Sequence, residues 1–284
     1  MTGWLAAGAL LIAAVSGARG TWSPCGLSMI SAINPLSERS RGNRYWLTAV
    51  WFIAGSVLGG VVLGSASGVL ALALRPLADH QSAALAVAAL ACLVALAADR
   101  RLAGFQLPLH PRQVNELWLT RYRRWLYAAG FGLQIGVGFA TYIMTAATYL
   151  VVVLAALTGS PALALAAGTV FSLVRGLAVL LSARCRNAQA LLRLHQRLST
   201  LEPVSMRAAM GAEALVAGAL GYAAAGPVAG AVALLLAGVI LAAGQPRPPV
   251  LGWALNKSRH NADEEVKADK EVAAYEEMIT SEKR

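Results

Sequence analysis

Charged side chains, and lysine above all, are scarce in this sequence of 284 residues. Asp, Glu, Lys and Arg make up 13% of the chain, whereas they make up about a quarter of a soluble domain. Residues 1 to 255 contain no lysine, and their 18 arginines and six acids give a net charge of +12. Together with 57% apolar residues in long blocks, this composition excludes an ordinary soluble domain and predicts an all-α polytopic membrane protein.

The sequence signatures of common membrane enzymes and pumps are also missing. The chain has no P-loop, no His-Glu-x-x-His, no Gly-x-Ser-x-Gly and no Cys-x-x-Cys motif, and its four histidines lack the spacing of metal ligands. These absences argue against an ATP-driven pump and a metalloprotease, and they indicate no enzyme class. We expect neither a metal nor a cofactor.

Seven apolar segments are long enough to cross a hydrocarbon core about 30 Å thick, which takes about 20 helical residues. The first and the fourth are much longer than this, so each must tilt, extend beyond the lipid or break inside it. The predicted spans are residues 3–34, 46–75, 81–98, 124–157, 160–183, 206–224 and 227–243.

The arginines predict the orientation of the chain in the bilayer. Fifteen of the 18 lie after the first, third, fifth and seventh spans, whereas the turns near 76–80, 158–161 and 225–227 are almost uncharged. Positively charged segments stay in the cytoplasm, so the N-terminus is predicted to be periplasmic and the C-terminus cytoplasmic, in the inner membrane. The alternative is that the first block forms two half-helices that never fully cross.

Two arginine-rich segments, 104–123 and 185–202, are predicted to be more than loops. In the second, leucines recur at helical spacing while Arg193 and Arg197 take the other face, which predicts a helix lying on the membrane surface. Contact with anionic lipid explains such a segment better than nucleic acid, so we expect no nucleic-acid partner. The mixed charges from Asn256 onward predict a solvated extension, with a docking helix as the alternative.

The two halves of the chain show a weak internal match. Ala54–Val57 in the second span aligns with Ala167–Val170 in the fifth, and a similar shift places Cys25 opposite Thr141. Each half contains three spans, and an odd number of spans gives the two copies opposite orientations, as in many transporters. Sites in such inverted repeats lie near the bilayer midplane, where the overlong first helix of each repeat breaks.

This repeat divides the chain into four predicted parts. They are a first three-helix repeat over 1–98, a cytoplasmic amphipathic connector over 99–123, a second repeat with a seventh helix over 124–243, and a charged cytoplasmic tail over 244–284.

The interruption of the first span is the main candidate site. Two glycines and Pro24 within ten residues break the helix, and a proline suits the first turn of the helix that follows. Cys25 then lies at a helix N-terminus, whose backbone N–H groups and dipole favour a nucleophilic thiolate, and Arg19 could add to this effect. The alternative is that Cys25 is a small apolar filler while Arg19 extends to the external interface.

Two ionisable residues lie inside predicted spans. Arg175 in the fifth and Glu213 in the sixth are both about 10–12 Å from the cytoplasmic end of their helices. Since an intramembrane charge is costly, their equal depth predicts a buried ion pair. Alternatively, Arg175 extends to the cytoplasmic surface while Glu213 is neutral or capped.

Ser23-Pro24-Cys25-Gly26-Leu27-Ser28 in a broken first helix, followed by an inverted three-helix repeat, resembles the membrane domain of the CcdA/DsbD thiol–disulfide transporters. That family carries reducing equivalents across the membrane through one cysteine in the first helix of each repeat. Here the position opposite Cys25 is near Thr141, and the fourth span has no cysteine, so the family's intramolecular dithiol cycle does not carry over. Cys92 and Cys185 occupy other positions and are interpreted as packing residues or unpaired thiols.

Within that superfamily, the chain length, the arginine-rich loops and the stretch from Asn34 to Arg39 look most like the membrane proteins of methylamine utilisation. This resemblance implies a multi-pass accessory protein for maturation of periplasmic methylamine dehydrogenase. It also implies a thioredoxin-like protein and another maturation membrane protein as partners. The residues alone leave open a small-solute transporter that uses the same broken-helix site, or a structural partner of other membrane subunits.

Overall fold

The computed structural model describes residues 2–107, 122–141 and 143–245, and every regular element within these ranges is a helix. The α-helices are α1 Thr2–Arg19, α2 Pro24–Ala32, α3 Pro35–Ser40, α4 Tyr45–Ala73, α5 Arg75–Asp79, α6 Gln81–Asp99, α7 Arg124–Val137, α8 Ala147–Leu157, α9 Pro161–Leu177, α10 Ala188–Ala225 and α11 Pro227–Ala243. Short 3₁₀ helices cover Gly20–Trp22, Leu102–Gly104 and Ala178–Arg184. Nearly all of the predicted tail and most of the 99–123 connector lie outside the described residues.

Five helical segments are long and apolar enough to cross a membrane. They are Gly3–Trp22, Tyr45–Ala73, Gln81–Asp99, Pro161–Arg184 and Ala188–Ala225, which correspond to the first, second, third, fifth and sixth predicted spans. The all-helical, membrane-like class is therefore confirmed. The fourth and seventh predicted spans contain the shorter apolar helices α8 and α11, so seven crossings and the inverted repeat stay predictions.

Both overlong segments are interrupted. The first changes from α1 through a 3₁₀ turn to α2 at Arg19–Pro24, and in the fourth α7 ends at Val137 and α8 begins at Ala147. The helix break that the two glycines and the proline predict in the first segment is confirmed.

The predicted surface helix over 185–202 is not a separate element, which corrects that prediction. Asn187 caps the first turn of α10 by accepting a hydrogen bond from the Ala190 N–H, and the helix then continues for 38 residues through Pro203 into the sixth predicted span. Side-chain contacts on both sides of the proline explain this continuity. The Trp22 indole donates to the Leu198 carbonyl at 2.7 Å, and Arg19 binds residues at 202 and 205.

Small residues let the backbones of α4 and α7 approach closely. An ideal Cβ on Gly132 would lie 2.0 Å from the Phe52 carbonyl oxygen, and one on Gly136 would lie 2.0 Å from the Ser56 carbonyl oxygen. Gly132 thus meets residue 52 and Gly136, one turn later, meets residue 56, one turn later on α4, so α4 and α7 run parallel. Close packing through glycine is typical of helices inside a bilayer, where no hydrophobic effect drives them together.

A neighbouring face of α4 packs antiparallel against α9. Gly60 meets Gly168 and Ser172, while Gly176 further along α9 meets Ser56, earlier on α4. The Ser56 hydroxyl also donates to the Ser172 carbonyl at 2.7 Å. Helix α4 is thus held between α7 and α9, and this packing fixes the rotation of α9 about its axis.

A buried carboxylate joins the segment after α2 to the helical core. Glu38 is fully buried and accepts hydrogen bonds from Thr48 of α4 at 2.6 Å and from Tyr127 of α7 at 2.8 Å. Arg41 supplies the positive charge at 2.9 Å. These contacts anchor α3, and with it the end of α2, against α4 and α7.

Candidate functional site

Cys25 occupies the position that its local sequence predicts, the second residue of α2. Ser23 caps the helix by accepting a hydrogen bond from the Gly26 N–H at 3.0 Å. Pro24 occupies the first helical position, where a backbone N–H would have no partner within the helix, so the N–H that proline lacks is not missed. The Cys25 side chain is 1% exposed. The thiol therefore lies inside the protein, at a helix N-terminus that directs backbone N–H groups and a positive dipole end toward it.

Arg175 reaches the same region from α9. Its guanidinium is buried, donates to the Thr141 hydroxyl at 3.0 Å, and lies 5.8 Å from the centre of the Phe171 ring. The Thr141 hydroxyl in turn donates to the Gly138 carbonyl at 2.9 Å. The structure thus brings Thr141 at the second helix break together with Arg175 of α9, although the two residues lie 34 positions apart in the sequence.

Glycines at the two helix breaks make room for this guanidinium. An ideal Cβ on Gly20 would lie 2.7 Å from Nε of Arg175, so a larger residue there would displace the side chain. Gly138 has φ of +77°, a conformation that side chains rarely allow, and a Cβ on it would lie 2.9 Å from the Phe171 ring. Both breaks therefore contact the fifth predicted span at the same place.

A small polar cavity, about the size of one water molecule, lies next to the guanidinium. Ser16 of α1 and Thr148 of α8 both line it and are hydrogen-bonded to each other, with their hydroxyl oxygens 3.2 Å apart. The other lining residues are Gly20, Gly138, Ile143, Met144, Thr145 and Arg175. Ser16 and Thr148 carry no motif, so sequence reasoning missed both.

Asp99 is a second residue that sequence reasoning missed. It ends α6 and is fully buried, and it caps the start of α8 by accepting a hydrogen bond from the Ala146 N–H at 2.7 Å and another from the Thr145 hydroxyl. A carboxylate at a helix N-terminus is favoured by the dipole. An aspartate at the end of a predicted span could have indicated a buried polar contact. The sequence does not indicate its partner, Thr145, which lies 46 residues away at the second break.

The predicted ion pair between Arg175 and Glu213 is wrong. Arg175 donates to Thr141 at the second helix break, whereas Glu213 is fully buried on a different helix, α10. The two residues share a depth in the sequence, but α9 turns Arg175 toward the helix breaks. Equal depth fixes only the level along the membrane normal and not the face of each helix.

Arg19 does not extend toward an external interface. It is 5% exposed, forms a 3.7 Å ion pair with Glu202 of α10, and donates to the Ser205 hydroxyl at 3.2 Å. Its guanidinium also lies 5.9 Å from the centre of the Trp22 ring. Arg19 therefore joins the first break to α10, and a carboxylate already balances its charge.

All three cysteines of the chain are buried, and none of them forms a disulfide. Cys92 belongs to the hydrophobic core around α6, as its interpretation as a packing residue requires. Cys185 follows the 3₁₀ helix Ala178–Arg184, and burial raises the pKa of its thiol. Neither lies at the second helix break, where the CcdA/DsbD resemblance would place a partner cysteine.

Comparison with known proteins identifies the family. Methylamine utilization protein MauF of Paracoccus denitrificans is 32% identical to this chain over 213 residues, which are 74% of this chain and 76% of the relative. The chain belongs to the MauF family. MauF of Paracoccus versutus is 29% identical over 60% of this chain and 62% of its own length, and MauF of Methylophilus methylotrophus is 30% identical over 60% of each.

Membership of the MauF family confirms the resemblance to methylamine-utilisation proteins. No protein-family model and no solved structure matches the chain. The wider relationship to the CcdA/DsbD transporters therefore stays a prediction from the motif around Cys25.

Proposed function

We propose that this chain is a multi-pass inner-membrane accessory protein that acts in the maturation of periplasmic methylamine dehydrogenase, through thiol–disulfide exchange at Cys25. Its membership of the MauF family supports the link to methylamine utilization. The buried Cys25 at the capped N-terminus of α2 is the observation that supports thiol chemistry. The relatives, all methylamine utilization proteins, do not favour the small-solute transporter.

Exposed apolar faces support the membrane location. Leu58, Val62 and Val69 on α4 and Leu235 on α11 are each more than half exposed, which is far more apolar surface than water-soluble monomers tolerate. In our proposal these faces contact lipid, and α8 and α11 complete seven crossings. The inverted repeat gives the two broken segments equivalent places in the two halves.

Aromatic side chains support the proposed orientation. The ring centres of Trp51 of α4 and Trp125 of α7 lie 6.2 Å apart, and both side chains are almost half exposed. Tryptophan concentrates at membrane interfaces; Arg123 and Arg124 directly precede Trp125, and Arg44 lies seven residues before Trp51. We assign this end of α4 and α7 to the cytoplasmic interface, so that the N-terminus is periplasmic.

The exchange step that we propose needs a partner, because the chain holds no second cysteine near Thr141. The Cys25 thiolate attacks one sulfur of a partner's disulfide; a new S–S bond forms as the old one breaks, and the other partner sulfur leaves as a thiolate. A thiol of the partner then attacks the mixed disulfide and releases Cys25. A thioredoxin-like protein has the chemistry for this role, and a second membrane protein is the other partner we propose.

Substitution of Cys25 tests the proposal. Cells carrying Cys25→Ser should lose active methylamine dehydrogenase, and acid-quenched wild-type cells should contain a mixed disulfide that Cys25→Ser cells lack. The matched controls are Cys92→Ala and Cys185→Ser, which remove the other thiols and should retain both activity and the adduct. Full dehydrogenase activity in Cys25→Ser cells would rule out the thiol mechanism.

A further inference from the structure

The polar cavity beside Arg175 lies between the two helix breaks. Residues from both broken segments and from α9 line it, and among these described residues Arg175 alone is charged. The first broken segment supplies Ser16 and Gly20, and the second supplies Gly138, Ile143, Met144, Thr145 and Thr148. The two interrupted segments therefore share one polar space that a buried cation faces.

The charge of Arg175 forms no ion pair with a carboxylate among the described residues. The residue is 4% exposed, and its contacts are neutral, namely the hydroxyl of Thr141 and the ring of Phe171. Its Nε atom is buried without a hydrogen-bond partner. Arg19, the buried arginine at the first break, has Glu202 as its counter-ion. An unbalanced buried cation is costly, and inside a membrane it marks a pair or a functional site.

The hydroxyl groups of the cavity also suit an anion. Ser16 and Thr148 share one hydrogen bond at 3.2 Å, which uses one of their two hydroxyl protons. The other proton can be donated to a group inside the cavity. The nearest carboxylate in the hydrogen-bond network is that of Asp99, which accepts the hydroxyl proton of Thr145 and does not itself line the cavity.

The size of the cavity limits the kind of anion. It has room for about one water molecule, so polyatomic anions such as sulfate and phosphate are too large for it. We propose that this cavity binds one monatomic anion of the chloride type, held by the Arg175 guanidinium and by a hydroxyl of Ser16 or Thr148. The ion balances the buried charge and joins the first helix break to the second. This site goes beyond the proposed thiol exchange and does not depend on it.

Chloride binding is tested on the full chain in detergent micelles, with gluconate replacing chloride at constant ionic strength. Radiolabelled chloride should bind saturably at about one ion per chain, which is the capacity of the cavity. Bromide should compete with it, and sulfate should not. An ion that binds only the folded state stabilises that state by mass action, so the melting temperature should rise with chloride concentration.

Three variants separate this site from other positive charges. Arg175→Gln should lose both the saturable binding and the chloride dependence of the melting temperature. Ser16→Ala with Thr148→Val keeps the cation and should weaken binding by about 10- to 100-fold, the effect of one hydrogen bond to a charged group. The matched control removes the other buried arginine together with its counter-ion, as Arg19→Gln with Glu202→Gln, and should bind chloride as the wild type does.

The wild type alone can overturn the proposal, even if no variant folds. A wild-type protein that binds no chloride would hold only water in this cavity. Competition by sulfate as strong as that by bromide would place the ion at an open surface site. Wild-type binding in folded Arg175→Gln would also refute the proposal, because the ion would then be held by other arginines.

Discussion

Replacement of Gly136 by alanine tests the parallel packing of α4 and α7, which positions the second helix break. The new Cβ would lie 2.0 Å from the Ser56 carbonyl oxygen, whereas ordinary contact begins near 3.4 Å. The obstacle is backbone in the middle of α4, which cannot rotate away as a side chain can. The two helices must therefore separate locally by about 1 Å or more, with loss of dispersion contacts on both sides.

The expected magnitude follows from two opposing effects. Overpacking of this kind costs about 1–3 kcal/mol, and alanine recovers about 0.5–1 kcal/mol of helix propensity over glycine. Gly211, in the sixth predicted span, provides the matched control, because a Cβ there meets nothing within 4 Å. We expect Gly136→Ala to be about 1–2 kcal/mol less stable than the wild type and Gly211→Ala to be at least as stable as it.

Unfolding by sodium dodecyl sulfate in mixed micelles, followed by circular dichroism and by tryptophan fluorescence, measures the difference. Trp51 and Trp125 flank this interface and should report its separation. If Gly136→Ala unfolds at the same detergent fraction as Gly211→Ala, then α4 and α7 do not meet through Gly136 and the reasoning fails.

Three other outcomes follow from the structure. Removal of the cap in Asp99→Ala should destabilise α8 by about 1–3 kcal/mol, because two buried donors lose their acceptor. Amide hydrogen exchange at the second break should become faster, and unchanged exchange would contradict this prediction. Burial raises the pKa of Cys185 in the folded protein, because the buried site favours the neutral thiol over the thiolate. The neutral thiol therefore contributes its full stability below the ordinary thiol pKa, and this contribution is lost as the pH rises through the raised pKa of the folded state. Cys185→Ser should therefore lose less stability between pH 7 and pH 10 than the wild type, and identical profiles would refute this. The exchange Arg175→Glu with Glu213→Arg should fold no better than either single variant, as measured by accumulation in membranes; rescue would restore the predicted ion pair.

The features that depend on local sequence could be predicted. The break in the first segment, the place of Cys25 at a helix N-terminus and the apolar helices all follow from the order of neighbouring residues. The end of the 185–202 helix could not be found in the same way. The leucine pattern gives its face, but its fusion with the sixth span depends on contacts of Arg19 and Trp22, which are distant in the sequence.

In the candidate site, too, local features could be predicted and contacts between distant segments could not. The sequence nevertheless contains a pattern that predicts the direction of Arg175. The depth of Arg175 in its predicted span suggests the wrong partner, because depth does not fix the rotation of α9 about its axis. The small residues at 168, 172 and 176 form a stripe that docks on α4, and this stripe was visible in the sequence. With that stripe on α4, Arg175 must point to an adjacent face, where Gly20 and Gly138 leave room for its guanidinium. Small-residue stripes therefore predict the direction of an intramembrane charge, which hydropathy and depth leave open.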